Sequence, residues 1–251
     1  KNIPVLGIDT LGSLVNPLHD WRLKQLRGYG LKFLDVDILN KAELHKKISE
    51  ENIQNPPTVY HLAGLAGVRQ SVEKPKKYYE NNIIGTINML NIATEFSSES
   101  FILASSSSVY GSHNNNNKVP FIENETVENP QSPYAFSKLF AEIISRNYTN
   151  ISSLNVSSLR FFTVYGPAGR IDMSILKFIH KIINEETINL FGDGSQERDF
   201  TYIEDICDGI ISSSKLEGFQ TLNLGSSKPY SLIDVLKIPS QISSIYVKSL
   251  S

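Results

Sequence analysis

Short apolar runs recur along the chain, and each gives way to small or polar residues at its C-terminal end. Runs of this length, bounded by turn-forming residues, are typical of buried β-strands. The sequence therefore predicts five strands within residues 3–9, 31–39, 58–64, 100–108 and 156–166.

Longer stretches with helical spacing lie between these runs. Strands that alternate with helices favour a parallel sheet that is covered by helices on both faces. The chain is therefore predicted to adopt an α/β fold, a doubly wound parallel sheet. The expected helices cover residues 17–28, 40–52, 74–97, 134–149 and 173–185.

Two regions depart from this alternation. Residues 113–133 contain a run of asparagines and three prolines, which predicts a solvated loop leading into the next helix. After about residue 167 the alternation becomes irregular, which favours a smaller lobe at the end of the chain.

The strand ends predict where a ligand binds, because doubly wound sheets bind ligands at the carboxyl ends of their strands. Small side chains there allow a ligand to approach the backbone. The residues at this edge are Asp9, Asp37, Ala63–Gly64, Ser105–Ser108 and Phe161–Thr163.

Composition narrows the class of protein. The net charge of −2 over 251 residues gives no basic surface for nucleic acid or an anionic membrane. The single cysteine, Cys207, excludes an internal disulfide and suits a reducing compartment. No apolar run reaches the length of a membrane span, so we expect a cytoplasmic protein. The sequence does not exclude a membrane anchor upstream of Lys1.

The stretch "SPYAFSK", residues 132–138, contains candidate chemistry. Ser132 can cap a helix and Pro133 suits its first position. Tyr134 and Lys138 would then lie on one helix face, one turn apart. The cation and the positive end of the helix both favour a tyrosine phenolate, so Tyr134 could transfer protons near neutral pH. Taken alone, the pair could equally be an ordinary surface tyrosine and lysine.

Eight motifs together resemble the extended short-chain dehydrogenase/reductase family, the NAD-dependent nucleotide-sugar epimerases and dehydratases. They occur in the family's order across most of residues 5–236. They are "GID" (7–9), "DVDI" (35–38), "HLAGLAGVRQS" (61–71), "NNIIGTINML" (81–90), "ASSSSVYG" (104–111), "YAFSK" (134–138), "LRFFTVYGPAGR" (159–170) and "GDGSQERDFTYIEDI" (192–206).

The resemblance implies a Rossmann-like fold with a small C-terminal substrate lobe. Residues 1–166 would form the NAD-binding domain. Residues 167–251 would form most of the substrate lobe, interleaved with that domain. The family's first strand and its glycine-rich GxxGxxG loop are not found in these 251 residues, and the end is short relative to the family. We therefore expect the sequence to be incomplete at both ends.

The resemblance also implies roles in binding NAD. Asp9 would hold the adenosine ribose, and Asp37 and Ile38 would flank the adenine. Phe161 would pack near the nicotinamide. The path of the cofactor would be lined by Leu62, Ala63, Gly64 and Asn82.

Three residues match the catalytic positions of the family. Tyr134 would be the base, and Lys138 would bond the nicotinamide ribose and lower the pKa of the tyrosine. Ser106 would donate a hydrogen bond to the reacting hydroxyl. No metal is implied.

The residues before "VYG" help to distinguish between the reaction types of the family. Dehydratases of this family commonly have an acid there, whereas this chain has Ser107 and Ser108. Serine cannot act as a carboxylic acid at neutral pH, so elimination is disfavoured. The resemblance then implies 4-epimerisation through a 4-keto intermediate.

The motifs are most similar to those of UDP-glucuronate 4-epimerases. Ser107, Ser108 and Thr163 could bond the sugar carboxylate. Arg170 is a candidate cation for that carboxylate or for the diphosphate, and Arg198 would pair with the diphosphate. The expected reaction converts UDP-glucuronate to UDP-galacturonate, for polysaccharide biosynthesis.

Two alternatives stay open. The first is an enzyme of the same kind with another sugar, such as a UDP-galactose-type 4-epimerase or another nucleotide-sugar epimerase or dehydratase. The second is a truncated, non-catalytic relative that binds a nucleotide sugar. Family members usually form homodimers through the Tyr–Lys helix, and the apolar side chains available for this are Leu139, Phe140, Ile143 and Ile144.

Overall fold

The structure is a computed structural model that describes residues 3–10, 17–53, 55–111, 120–170, 172–189 and 193–238. The asparagine run of the expected loop lies outside these ranges. The chain divides into two compact units. The first contains residues 1–160 and 210–223, and the second contains residues 161–209 and 224–251.

The first unit alternates strands and helices as predicted. Its elements are β1 (Leu6–Asp9), α1 (Pro17–Gly28), β2 (Lys32–Asp35), α2 (Lys41–Ser49), β3 (Thr58–His61), α3 (Val68–Glu73), α4 (Pro75–Tyr79), a π-helical turn (Glu80–Ile84), α5 (Gly85–Glu95), β4 (Ser100–Ser106), a 3₁₀ turn (Ser107–Tyr110), α6 (Pro133–Ile151), β5 (Asn155–Phe161) and β8 (Phe219–Leu224).

The strands of this unit form two sheets. β1 pairs with β2 in parallel, with Leu6 opposite Lys32. β3 pairs with β4 in parallel, and the second sheet has the order β3-β4-β5-β8. The parallel strands and intervening helices confirm the α/β prediction. Each predicted apolar run contains a strand, although most of the strands are shorter than the runs.

Helix α6 begins as the sequence predicts. The Ser132 side chain accepts a hydrogen bond from the backbone N–H of Ala135 at 3.1 Å, and Pro133 occupies the first helical position. This cap satisfies a donor that the first turn would otherwise leave free. The start of the helix is therefore fixed, and with it the position of Tyr134 one residue later.

The core of the first unit lies between its strands and helices. Phe101 and Leu103 of β4 are buried together with Leu90 of α5 and Ala141 of α6. Ile144 of α6 packs against the same cluster. One face of α6 is thus buried in the core, and this holds the helix against β4.

A cleft of about 2340 Å³ is lined by residues of β1 and β3 and by the loops that follow them. Within the described ranges, no strand joins β1 to β3. The two sheets of this unit therefore remain separate along this cleft.

The second unit contains β6 (Thr163–Tyr165), α7 (Ser174–Ile183), β7 (Glu197–Tyr202) and β9 (Pro229–Ser231), and α8 (Ile203–Ser213) begins in this unit and ends in the first. Its three strands form a sheet of order β6-β7-β9. β7 pairs with β6 in parallel and with β9 in antiparallel orientation. The Asp199 carboxylate of β7 accepts the backbone N–H groups of Ser226 and Ser227, both at 2.8 Å, which fixes the turn before β9.

Candidate active site

Tyr134 and Lys138 lie one turn apart near the start of α6. Lys138 is buried, and its ammonium donates a 2.7 Å hydrogen bond to the carbonyl oxygen of Ala104 in β4. The half-buried Tyr134 ring meets the edge of the Tyr78 ring at a centroid distance of 6.2 Å. Tyr78 is itself fixed by a bond from its hydroxyl to the Ala66 carbonyl oxygen at 3.0 Å.

The charge state of Lys138 depends on its surroundings. Burial lowers the pKa of its ammonium from 10.5 to about 8, while the nearby Glu142 carboxylate acts in the opposite direction. At neutral pH the lysine is therefore still a cation, in a place where few water molecules screen its field.

Ser106 is the last residue of β4, and Ser107 and Ser108 begin the 3₁₀ turn. The Ser106 hydroxyl oxygen accepts the backbone N–H of Ser108 at 3.2 Å. This contact uses the oxygen as an acceptor, so the hydroxyl proton can still be donated to a ligand. Ser107 and Ser108 are half-buried. Ala104 lies two residues before Ser106, so the bond from Lys138 brings the helix and this strand end together.

Asn82 holds the loop after β3 against α6. Its side-chain oxygen accepts the backbone N–H of Leu65 at 2.7 Å, and its amide nitrogen donates to the Leu65 carbonyl oxygen and to the Ser137 hydroxyl, both at 2.9 Å. Asn82 is buried. The loop that contains Leu62, Ala63 and Gly64 is thereby fixed close to Lys138.

At Gly64 the backbone passes close to the side chains of Asn82 and Lys138, and we call this narrow point the cradle at Gly64. The Gly64 φ of +152° is a conformation that L-residues rarely adopt, and a Cβ there would lie 2.9 Å from the Asn82 Oδ1 and 3.4 Å from the Lys138 Nζ. A glycine at this point keeps the backbone open beside the ammonium. The arrangement fits a dinucleotide, since its sugar hydroxyls are acceptors for Lys138 and its length requires close approach to the backbone.

The cleft beside β1 and β3 contains most of the expected cofactor residues. Asp9 and Asp37 are exposed; their carboxylates accept the backbone N–H groups of Thr10 at 2.7 Å and Leu39 at 2.9 Å. The other expected cofactor residues that line the cleft are Ile38, Leu62, Ala63 and Gly64. Of these, Ile38 is buried and packs against Gly85 at the start of α5.

His61, the last residue of β3, lies behind this site. It is buried, and its Nε2 is 3.0 Å from the Thr86 hydroxyl oxygen. Burial and the Lys138 charge lower its pKa to about 3. His61 is therefore neutral at physiological pH.

A buried ion pair beside Lys138 was not anticipated from the sequence. Arg160 of β5 donates to both carboxylate oxygens of Glu142 in α6, at 3.1 and 2.8 Å, and the Ser105 hydroxyl also donates to this carboxylate. The partners are 18 residues apart or more. One local signal was available, because Glu142 follows Lys138 by four residues and so lies on the same helix face.

The second unit contains the other expected substrate residues. Thr163 and Arg170 line a pocket of about 370 Å³, and Phe161 is half-buried at the end of β5. Arg170 forms a two-bond ion pair with Asp172 and holds the pKa of that carboxyl below its usual value. Arg198 is exposed and donates to the Glu197 carbonyl oxygen at 2.7 Å; it is not among the described residues that line the pocket.

Two further searches cover only the described part of the chain. In these ranges there is no group of three or more His, Cys, Asp or Glu side chains that could hold a metal ion. No helix within them has the length and apolar character needed to cross a membrane.

Residues 1–225 match the NAD dependent epimerase/dehydratase family. Because this match covers most of the sequence, the chain belongs to that family, and the α/β fold agrees with the assignment.

Relatives within the family indicate which member it resembles. The chain is 43% identical to a UDP-glucuronate 4-epimerase from Thermodesulfobacterium geofontis over 93% of its own length and 71% of that protein's length. It is 37% identical to UDP-glucuronate 4-epimerase 4 from Arabidopsis thaliana, over 93% of its own length and 56% of that protein's. The chain thus spans between about half and three quarters of the length of these relatives.

The chain is also similar in structure to a solved UDP-glucuronic acid 4-epimerase. The crystal structure of UDP-glucuronic acid 4-epimerase from Bacillus cereus, in complex with UDP-glucuronic acid and NAD, superimposes with a TM-score of 0.81 at 32% identity. The match covers 95% of this chain and 74% of that one.

Proposed function

We propose that the protein catalyses the NAD-dependent 4-epimerisation of a UDP-hexuronate, interconverting UDP-glucuronate and UDP-galacturonate. The observation that carries the proposal is the buried Lys138 ammonium, bonded to Ala104 between the Tyr134 helix and the strand that ends in Ser106. The relatives named UDP-glucuronate 4-epimerase support the choice of sugar.

Tyr134 is the proposed base. Its phenolate oxygen takes the proton from the sugar O4. The same tyrosine oxygen later returns this proton to O4. The Lys138 cation favours this phenolate electrostatically, and the Ser106 hydroxyl donates a hydrogen bond to the reacting oxygen without giving up its proton. NAD, when bound, supplies the hydride acceptor and donor for C4.

The cofactor is proposed to bind along the cleft of the first unit. Lys138 would bond the nicotinamide ribose, and the open backbone at Gly64 would admit the dinucleotide beside it. The Asp9 carboxylate would accept hydrogen bonds from the hydroxyls of the adenosine ribose, as an Asp or Glu at the end of a strand does in dinucleotide-binding folds. The remaining proposed contacts are Asp37 and Ile38 at the adenine, Leu62, Ala63 and Asn82 along the path, and Phe161 near the nicotinamide.

Five residues are proposed to bind the sugar and the diphosphate. Ser107, Ser108 and Thr163 would bond the uronate carboxylate, and Arg198 would pair with the diphosphate. Arg170 is the proposed cation for the carboxylate or the diphosphate. Since Arg170 is paired with Asp172, it would have to exchange that carboxylate for a ligand anion.

The proposal is tested by following UDP-glucuronate with the purified protein by ¹H NMR. The wild type is expected to form UDP-galacturonate, and Tyr134→Phe is expected to lose at least about a hundredfold in kcat, the contribution of a general base. Tyr148→Phe is the matched control on the same helix, because the Tyr148 hydroxyl bonds to Asn91 in α5. Equal rates for Tyr134→Phe and the wild type would leave the non-catalytic nucleotide-sugar-binding relative as the better interpretation.

The rival enzyme is a UDP-galactose-type 4-epimerase. Arg170→Gln separates the two, since a uronate has a carboxylate that a neutral hexose lacks. A strong loss with UDP-glucuronate and little loss with UDP-glucose supports the uronate. Equal losses with both sugars would assign Arg170 to the diphosphate that both substrates contain. The preferred substrate would then be identified by comparing the wild-type rates with UDP-glucuronate and UDP-glucose. The exposed Arg27→Gln of α1 is the control.

The remaining expectations stay predictions. We propose that residues 1–166 bind NAD and that residues 167–251 form most of the substrate lobe. We also propose a homodimer through α6, in which Phe140 and Ile143 are exposed, Leu139 is half-buried and Ile144 packs inward. The cytoplasmic location and the role in polysaccharide biosynthesis also stay predictions.

A further inference from the structure

The Glu142–Arg160 pair is buried directly behind the proposed catalytic helix face. Both side chains are 5% exposed. The guanidinium makes two roughly parallel bonds to the carboxylate, an arrangement that fixes the direction as well as the distance of the charge. A third bond comes from the Ser105 hydroxyl.

This carboxylate is linked to both parts of the site. Glu142 lies one helical turn beyond Lys138 and faces the same way. Ser105, which donates to Glu142, lies between Ala104, the acceptor of the Lys138 bond, and Ser106. One carboxylate therefore lies behind the lysine and also holds the strand end that contains the serine.

Arg160 is held in turn by the residues that follow Ser106. Its guanidinium lies 4.7 Å from the centroid of the Tyr110 ring, and its Nη1 is 3.5 Å from the Glu123 carbonyl oxygen. The Tyr110 hydroxyl donates to the Asn223 side-chain oxygen at 2.7 Å. With these contacts the guanidinium is packed on the side away from Glu142 as well, and the pair is buried.

A buried ion pair is by itself weak evidence for stability, because the cost of removing two charges from water can exceed their attraction. A function near a second buried charge is a better reason to keep it. Burial disfavours the Lys138 cation, and a neutral amine could neither favour the Tyr134 phenolate nor bond as a cation.

We propose that Glu142, clamped by Arg160 and Ser105, is a positioning residue that supplies the counter-charge holding Lys138 as a cation beside Tyr134. The inference deepens the proposed epimerase function and rests on it for the role of Lys138. Glu142 acts through Lys138 and does not touch the substrate.

Other ionisable groups lie on the elements around Lys138. Tyr134 shares its helix, Tyr78 of α4 meets the Tyr134 ring, and His61 of β3 stays neutral because its pKa is about 3. On the helices packed against α6, the charged residues are exposed: Arg69, Glu73, Lys76, Lys77, Glu80 and Glu95. The 3₁₀ turn adds the half-buried Tyr110, whose hydroxyl donates to Asn223. Glu142 is the buried carboxylate that acts on the lysine.

The direct test is a titration of Lys138 in the full-length holoenzyme. Lysine labelled with ¹³C at Cε is incorporated, and the Lys138 signal is assigned by its loss in Lys138→Met. In Glu142→Gln the midpoint is expected to fall by about one pH unit. Glu142→Asp, which keeps the charge, is expected to retain most of the wild-type midpoint.

Glu123→Gln is the matched control. The Glu123 carboxylate accepts the backbone N–H of Asn223 at 2.9 Å, so this change disturbs the same network on its far side from Lys138. It is expected to leave the midpoint unchanged. An unchanged midpoint in Glu142→Gln, or equal shifts in Glu142→Gln and Glu123→Gln, would overturn the proposal and leave the pair a purely structural feature.

Glu142→Gln leaves the buried Arg160 cation without its carboxylate, which could unfold the protein. A second variant keeps the proposal testable in that case. Glu142→Gln/Arg160→Gln removes both charges together and is expected to give a smaller downward shift, because loss of the arginine cation partly offsets loss of the carboxylate. A midpoint equal to that of the wild type in this variant would also overturn the proposal.

The pH dependence of kcat gives an independent readout. In Glu142→Gln the alkaline limb is expected to move to lower pH by the shift measured for Lys138, whereas a merely structural role would lower kcat at every pH and keep the limb in place. If the proposed reaction were wrong, the wild type would convert no UDP-hexuronate, while the titration would still report on Glu142. The two failures are thus distinguishable.

Discussion

The Lys138 ammonium bonds to the Ala104 carbonyl oxygen at 2.7 Å, which fastens helix α6 to strand β4 two residues before Ser106. The bond uses one of three ammonium protons. It therefore fixes the position of the cation while the group keeps the capacity to bond a ligand. The proposed chemistry depends on this junction, because it holds the base, the lysine and the serine on elements that cannot move independently.

The first prediction concerns the dependence of stability on pH. The Lys138 pKa is about 8 in the folded protein, against 10.5 for an ordinary lysine. Between these values the unfolded chain binds the proton and the folded chain does not, so stability rises with pH through this window. Below pH 8 both states are protonated and the cost of burying the charge is fully present.

Urea unfolding of the wild type and Lys138→Met from pH 7 to 10.5 measures this effect. The free energy of unfolding of the wild type is expected to gain about 3 kcal/mol relative to the variant between pH 8 and 10.5, at about 1.4 kcal/mol per pH unit. Lys24→Met, at an exposed position of α1, is the control. A constant difference between the wild type and Lys138→Met would contradict the account of Lys138.

The second prediction concerns the cradle at Gly64. In Gly64→Ala the new methyl group would meet Asn82 and Lys138, in a backbone conformation that alanine avoids. We expect the NAD content of the purified protein to fall at least about tenfold, since a cost of 1.4 kcal/mol already lowers an equilibrium constant by that factor. The cofactor released by denaturation can be measured by chromatography.

Gly28→Ala is its matched control, because no atom lies within 4 Å of the position of the added methyl group and Gly28 ends helix α1. This variant is expected to retain its NAD. If Gly64→Ala also kept full NAD content, the proposed path of the cofactor beside Lys138 would be wrong.

The third prediction concerns the proposed dimer. Ile143 of α6 is 56% exposed and lies near the exposed Phe136 and Phe140, whose rings stack at 5.8 Å. Ile143→Asp would place a charge in the centre of this apolar surface, so the mass measured by light scattering is expected to fall to that of one subunit. Ile183→Asp, at an exposed position of α7, should leave the mass unchanged. A dimer that survives Ile143→Asp would exclude this face as the interface.

The sequence predicts features that local chemistry determines. Ser132 and Pro133 carry a complete start signal for α6, so the placement of Tyr134 and Lys138 on the first turns could be foreseen. The alternation of apolar runs and amphipathic stretches likewise predicts the α/β class, because burial on both sides of a sheet imposes that pattern.

Features that depend on distant partners could not be foreseen in this way. The π-helical turn Glu80–Ile84 interrupts a stretch predicted as one helix, and it contains Asn82, whose partners Leu65 and Ser137 are 17 and 55 residues away. Nothing in the sequence pairs Glu142 with Arg160, since they lie 18 residues apart on a predicted helix and a predicted strand. Only the packing of α6 against the strands brings them together in the interior.

The most direct test of the central claim follows the hydrogen at C4 of the sugar. UDP-glucuronate labelled with deuterium at C4 is incubated with the purified protein, and the product is analysed by NMR and mass spectrometry. The account predicts UDP-galacturonate that retains the deuterium at C4, because the hydride leaves and returns within one closed site. Product that has exchanged this deuterium for solvent hydrogen, or no conversion at all, would contradict it.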